Sequence, residues 1–278
     1  MPLRLDNSNQ MKEKLIKILI LSMWILLTGG FMCLVGFTRW EHSTQGCKSY
    51  VISIDYGKAD TLVTRDDIYS LVRKTGNTLK GQLIGDVDVE AIEREIKRQP
   101  YVARAEVFLT MEGVVEIQVL QRQPILRIFN LSGESYYLDG LGSLLPLNPL
   151  FSARVLAATG FIDETFSGKV NYLQDSVRSD DSLNHRSVMI NLYKLGTYIV
   201  KDRFLRAQIE QIYVDKNGEF ELIPRVGKHL ILFGSADDIE KKFERLIAFY
   251  RYGLSRTGWN RYNVINIKYR NQVVCSKI

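Results

Sequence analysis

The sequence predicts an α+β protein held by a single N-terminal transmembrane helix, and three observations carry that reading. A run of 21 residues, Ile18 to Thr38, holds no charged side chain. Residues 47–121 then carry signals in the order strand, helix, helix, strand, strand. From residue 122 to 278 the pattern is a mostly antiparallel β domain with flanking helices. Composition agrees: 46% hydrophobic and 24% charged over 278 residues is the balance of a folded chain. Three cysteines cannot form a disulfide framework, and His42, His185 and His229 lie too far apart for zinc-ligand spacing. The net charge of +6 divides into four basic and two acidic residues before residue 39, leaving 33 basic against 29 acidic beyond it. That remainder is close to balance and points to no polyanionic ligand.

At about 1.5 Å per residue the uncharged run spans roughly 31 Å, the thickness of a bilayer core. A cleaved signal peptide needs an apolar stretch of only about 7 to 15 residues and a small-residue cleavage site. Phe37-Thr38-Arg39-Trp40-Glu41 offers none, so the run reads as a retained anchor. Arg4, Lys12, Lys14 and Lys17 precede it, whereas only Arg39 and Lys48 follow closely. The positive-inside tendency therefore makes residues 1–17 a cytoplasmic tail and exports everything after residue 38. In an oxidising space Cys47 and Cys275 are candidates for a disulfide, while Cys33 lies within the span.

The first exported unit begins with the strand pattern Tyr50-Val51-Ile52-Ser53-Ile54. Thr64-Arg65-Asp66-Asp67 reads as a helix start, with Thr64 as cap and acids at the positive helix end. Ile68, Leu71 and Val72 fall on one face, and Gly76 suits the C-terminal cap. A second helix, about Val89 to Arg98, buries Ile92 and Ile96 and stops before Pro100. Two strands follow, one placing Tyr101, Ala103, Ala105, Val107 and Leu109 on a side, the other Val115, Ile117 and Val119, with Met111-Glu112-Gly113 as the turn.

Downstream, Tyr136 to Gly140 reads as a strand entering a turn, and Gln211 to Val214 as another strand. Asp215-Lys216-Asn217-Gly218 is a hairpin signal leading into Glu219 to Ile223. His229 to Phe233 continues the β pattern. Helical spacing returns at Val188, Leu192, Leu195 and Ile199, and again at Ile239, Phe243, Leu246, Ile247 and Tyr250. The chain closes with two strands in Val264 to Cys275, meeting at Asn271-Gln272.

The order of the first unit, with Gln99-Pro100-Tyr101-Val102-Ala103-Arg104-Ala105-Glu106-Val107, Val115 to Val119 and Arg122-Gln123-Pro124, resembles the POTRA domain of the FtsQ/DivIB division proteins. The closing Ile265-Asn266-Ile267-Lys268-Tyr269 resembles the end of that family's β domain. Here Asn266 replaces an acidic residue, Lys268 replaces arginine, and the turn lacks its usual glycine. The resemblance implies a non-enzymatic, cofactor-free bitopic scaffold at the division septum, whose last strand docks FtsB/DivIC-like and FtsL-like partners and through them the septal peptidoglycan synthase.

No G-x-S-x-G, P-loop, H-E-x-x-H or G-x-G-x-x-G motif is present. Gly140-Leu141-Gly142-Ser143 follows a hairpin signal and lacks the helix that an anion-binding loop requires. His185 and His229, at a helix start and a strand start, suit surface or capping roles. The carboxylate pairs Asp66/Asp67, Asp180/Asp181 and Asp237/Asp238 each precede a helical run and suit helix-end electrostatics. Binding surfaces remain, and a final strand at a sheet edge can accept a partner strand. Tyr269, Gln272, Val273, Val274 and Cys275 are the candidate contact residues, with interior packing of Val273 and Val274 as the alternative. A second functional reading is a POTRA-containing, chaperone-like factor for outer-membrane insertion or secretion. Too little chain follows residue 121 for the ~16-strand barrel such systems carry.

Overall fold

The computed structural model describes residues 17, 19–33, 46–166, 173 and 188–277. A helix, α1, covers residues 19–33, and its apolar side chains stand exposed. No helix among the described residues is long and apolar enough to cross a membrane. Ile18 and residues 34–38 of the expected span, together with Lys12, Lys14, His42 and His185, lie outside the described residues. By contact density the chain forms two compact units that interleave in sequence, one containing residues 69–95 and 106–117, the other 54–68, 96–105 and 118–278.

After α1 come β1 (Ser49–Asp55), α2 (Arg65–Lys74), α3 (Val89–Lys97), β2 (Val102–Leu109) and β3 (Val114–Gln121), in a three-stranded sheet of order β1-β3-β2. This is the order that the sequence implies. Helix α2 starts with a reciprocal cap: Asp67 N donates to Thr64 Oγ1 at 3.2 Å and Thr64 N donates to Asp67 Oδ2 at 2.8 Å. At its other end Gly76 takes a left-handed φ of 83°, open to glycine at no steric cost. Ile68, Val72, Ile92 and Ile96 are buried as expected, but Leu71 is only half-buried. In β2 the alternation holds at Ala105 and Val107. Tyr101 and Val102 are both buried where the chain turns from Gln99 into the strand, and Ala103 and Leu109 are half-exposed.

The second sheet has nine strands, β4 (Pro124–Phe129), β5 (Ser135–Asp139), β6 (Leu144–Leu145), β7 (Leu156–Gly160), β8 (Ile209–Val214), β9 (Phe220–Pro224), β10 (Leu230–Gly234), β11 (Tyr262–Asn266) and β12 (Val274–Lys277). Their spatial order is β12-β11-β10-β9-β8-β7-β4-β5-β6. Five neighbouring pairs are antiparallel, and β4/β7, β7/β8 and β10/β11 are parallel. The expectation of a mostly antiparallel domain with flanking helices is thereby refined to a mixed sheet. A parallel pair needs a long crossover, and the helices supply two of them. Helices α4 (Val188–Lys201) and α5 (Arg203–Gln208) lie between β7 and β8, and α6 (Ile239–Ala248) lies between β10 and β11.

One face of this sheet is buried under those helices, with Ile212, Val214, Phe220, Leu222, Ile231, Phe233 and Ile265 joining Leu192, Leu195, Phe243 and Leu246 in one core. Tyr198 stacks on Phe243 at 5.1 Å, and Phe243 meets Phe233 at 5.0 Å. At Gly196 a Cβ would come within 2.9 Å of Leu126, so a glycine lets α4 lie close on β4. The Asp215–Gly218 turn joins β8 to β9 as its composition implies: Asp215 Oδ1 accepts from Asn217 N and Glu219 N, both at 2.8 Å, and Gly218 has φ 76°.

Candidate partner-binding edge

The two ends of the nine-stranded sheet differ. Strand β6 is two residues long and both, Leu144 and Leu145, are buried. At the other end β12 pairs antiparallel with β11, in the register Ile265↔Cys275 and Asn266↔Val274, and has no second strand neighbour among the described residues. Its outer N–H and C=O groups are a template for another strand.

The turn leading into β12 is held from several sides. Ile267 N donates to Leu232 O at 3.0 Å, and Arg245 Nη2 donates to Ile267 O at 3.1 Å. Lys268 N donates to Asn266 Oδ1 at 3.0 Å, while the Lys268 ammonium pairs with the Glu219 carboxylate. The glycine that the turn lacks is replaced by Asn271, which takes a left-handed φ of 59°. Asparagine adopts that conformation more readily than other side chains. Arg270 Nη2 lies 3.7 Å from Asp238 Oδ2 at the start of α6.

The five candidate residues divide by exposure. Tyr269 is 53% and Val274 45% exposed, and Gln272 is exposed as well. Val273 and Cys275 are half-buried and pack against the core, as alternation along the strand requires. Burial raises the Cys275 thiol above its ordinary pKa, and Cys33, Cys47 and Cys275 are all free thiols, so the candidate Cys47–Cys275 disulfide is absent. Ile278 lies outside the described residues.

Two polar constellations escaped the sequence reading. Arg122 Nη1 donates to Asp139 Oδ2 and to Ser143 Oγ, each at 2.9 Å, and all three residues are buried. Asp139 Oδ1 also accepts from Ser143 N at 2.7 Å and Leu141 N at 2.9 Å, so the Gly140–Ser143 segment is a hairpin turn closed by a buried carboxylate. Beside Arg122, Gln121 Oε1 accepts from Leu62 N and Val63 N, and Gln123 Oε1 accepts from Lys58 N. The Arg-Gln-Pro motif was visible; its hydrogen-bond partners, 17 to 67 residues away in sequence, were not.

The second constellation corrects the reading of His229 as a surface or capping residue. Its side chain is buried, because it precedes β10 beneath the end of α6, and Nε2 lies 2.7 Å from Tyr250 Oη. Burial pushes the imidazole pKa down, opposed by the Trp259 backbone, and burial pushes the Tyr250 phenol well up. Both groups are therefore neutral near pH 7 and form a structural hydrogen bond. Among the described residues no three His, Cys, Asp or Glu side chains gather as metal ligands.

A family model described as FtsQ/DivIB, C-terminal related, matches residues 123–276, and a POTRA-like domain model matches residues 45–120. No curated protein matches the chain.

Proposed function

Because the chain belongs to the FtsQ/DivIB family, a family of cell-division scaffolds, we propose that it is a non-enzymatic bitopic scaffold of the divisome. In this reading residues 1–17 stay in the cytoplasm and residues 18–38 cross the cytoplasmic membrane. Residues 47–121 and 122–278 form two exported domains at the septum. The uncharged run supports the anchor, as do the exposed apolar side chains of α1. The hydroxyls of Ser22 and Thr28 bond to the carbonyls of Leu19 and Trp24 one turn back, which suits them to a medium without water.

The observation that carries the partner reading is the open β12 edge, with Val274 and Tyr269 exposed beside it. An FtsB/DivIC-like strand adds to β12 through backbone hydrogen bonds, and FtsL-like protein and the septal peptidoglycan synthase join through it. Successive N–H groups of a strand alternate between its two sides. Val274→Pro and Cys275→Pro therefore divide the donors, one facing β11 and one facing the partner. Binding of the FtsB/DivIC-like ectodomain to both variants, each first shown to be folded by circular dichroism, tests the reading. One folded variant should lose binding, and wild-type affinity in both would place the docking edge elsewhere.

A further inference from the structure

Strands β4, β7, β8, β10 and β11 all run the same way, so their first residues lie at one end of the sheet. Three segments, each with an exposed tip, come together at that end. Phe204, at the start of α5, is 41% exposed, Val226 in the β9–β10 turn is 53% exposed, and Tyr252 in the turn after α6 is 63% exposed. The last of these lies in a π-helical turn, Phe249–Leu254, a distortion frequent at functional sites.

These tips share a rigid base. Gln208 Nε2 donates to Val226 O at 2.8 Å, and Arg225 N donates to Gln208 O at 2.6 Å. Phe204 meets Tyr250 edge-on at 5.8 Å, and Tyr250 stacks on Trp259 at 5.2 Å while bonding to buried His229. Apolar side chains thus project from a well-packed platform, where burying them against a partner costs little ordering.

Charge surrounds them. Arg203, Arg206, Arg225, Arg251 and Arg256 are exposed, and none of their side chains forms an ion pair or hydrogen bond among the described residues. No acidic residue occurs from Arg245 to the end of the sequence. The nearby Asp202 carboxylate is engaged in capping α5 through Leu205 N. A cluster of unneutralised guanidinium groups repels itself and is relieved by an anion. Exposed Lys201 and Lys228 lie in the same segments, but these five arginines outnumber them, and that bias selects the kind of anion. A bilayer surface attracts lysine and arginine alike, whereas protein interfaces enrich arginine and deplete lysine, because the planar fork fits a carboxylate.

We propose that this corner docks an acidic polypeptide segment, with Asp or Glu side chains on the arginines and an apolar side chain seated among Phe204, Val226 and Tyr252. It is separate from the Tyr269 turn, which lies at the opposite end of β11 and β12. To test it, Phe204, Val226 and Tyr252 are replaced, one at a time, by a photo-crosslinking phenylalanine analogue in the full chain in living cells. Adducts are mapped by mass spectrometry. The expected product is an adduct to an Asp/Glu-rich segment, its yield falling roughly tenfold with Arg203→Glu, Arg206→Glu and Arg225→Glu together, as loss of a central charged contact predicts. The matching Arg→Lys triple variant keeps the charge and lowers the yield less. Exposed positions make both triple variants safe for folding, which an unchanged Tm verifies. Val274→Pro should leave the adduct intact, separating this surface from the β12 edge. Adducts to phospholipid, adducts insensitive to charge reversal, or no adduct at any of the three positions would each overturn the proposal.

Discussion

Asp139 is a buried carboxylate that ties the Gly140–Ser143 turn to Arg122. Its two oxygens accept from Arg122, Ser143 and Leu141, and its side chain is almost wholly buried. Breaking one half of a buried pair leaves an uncompensated charge, so Asp139→Asn should destabilise by about 3 to 5 kcal/mol. The double change Arg122→Met with Asp139→Leu should cost less than Asp139→Asn alone, because it leaves no charge behind. Thermal unfolding of the three proteins decides this, and equal losses would show that an uncompensated charge is not the source of the cost. His229 makes a pH-dependent prediction. Its folded pKa is depressed below the ordinary 6.5 by burial, so the unfolded chain binds the proton first as pH falls. Stability is therefore full above about pH 6.5 and is lost progressively below it, towards the folded pKa. Tm measured across that window should fall for the wild type and fall less for His229→Gln. Parallel curves would assign the acid sensitivity to other groups.

In the proposed scaffold the partner-binding element is β12, and what the sequence disclosed about it was uneven. The sequence placed a strand over Val273, Val274 and Cys275 and marked the turn at Asn271-Gln272, but it did not separate the half-buried Val273 and Cys275 from the exposed Val274. Whether the strand was interior or at the edge could not be read, because that depends on which strands lie beside it. Likewise α4 and α6 showed their apolar stripes plainly, since Leu192 and Leu195, or Phe243 and Leu246, recur at helical spacing. That these helices are crossovers between parallel strands was hidden, because pairing such as Ile231↔Ile265 joins residues on either side of a helix. Local periodicity is written in neighbouring residues; pairing and burial of polar groups are not. Tyr269 tests the element: placed on the turn and half exposed, it is suited to anchor a partner. Tyr269→Ala should weaken partner binding by ~2 kcal/mol or more if the contact is centred there. Isothermal titration would show it, and an unchanged affinity would move the centre of the contact along β12.

At the scale of the molecule the sequence suggests a boundary at residues 121 and 122, yet the contacts run across it. Within the larger compact unit, segment 54–68 is tied to later parts of the chain. Asn148 Nδ2 donates to Leu62 O at 2.8 Å, Arg154 N donates to Asp60 Oδ2 at 2.8 Å, and Gln123 Nε2 donates to Tyr56 O at 2.8 Å. Gln121, almost fully buried, adds its own bonds to Asp60, Leu62 and Val63. Three side chains, Asn148, Gln121 and Gln123, thus satisfy the backbone of one irregular loop, whose own Asp60 carboxylate accepts from the Arg154 backbone, and an irregular backbone without such partners opens readily. If each bond contributes about 1 kcal/mol, Asn148→Ala and Asp60→Ala together should raise the opening equilibrium of the loop more than tenfold. Hydrogen exchange followed by mass spectrometry should then speed up over residues 58–64 while peptides covering β8 to β11 keep their protection. Unchanged exchange at 58–64 would mean that Gln121 and Gln123 suffice. Residues 47–121 would then be independent of everything after Pro124, and a fragment ending at residue 125 should melt as it does in the full chain.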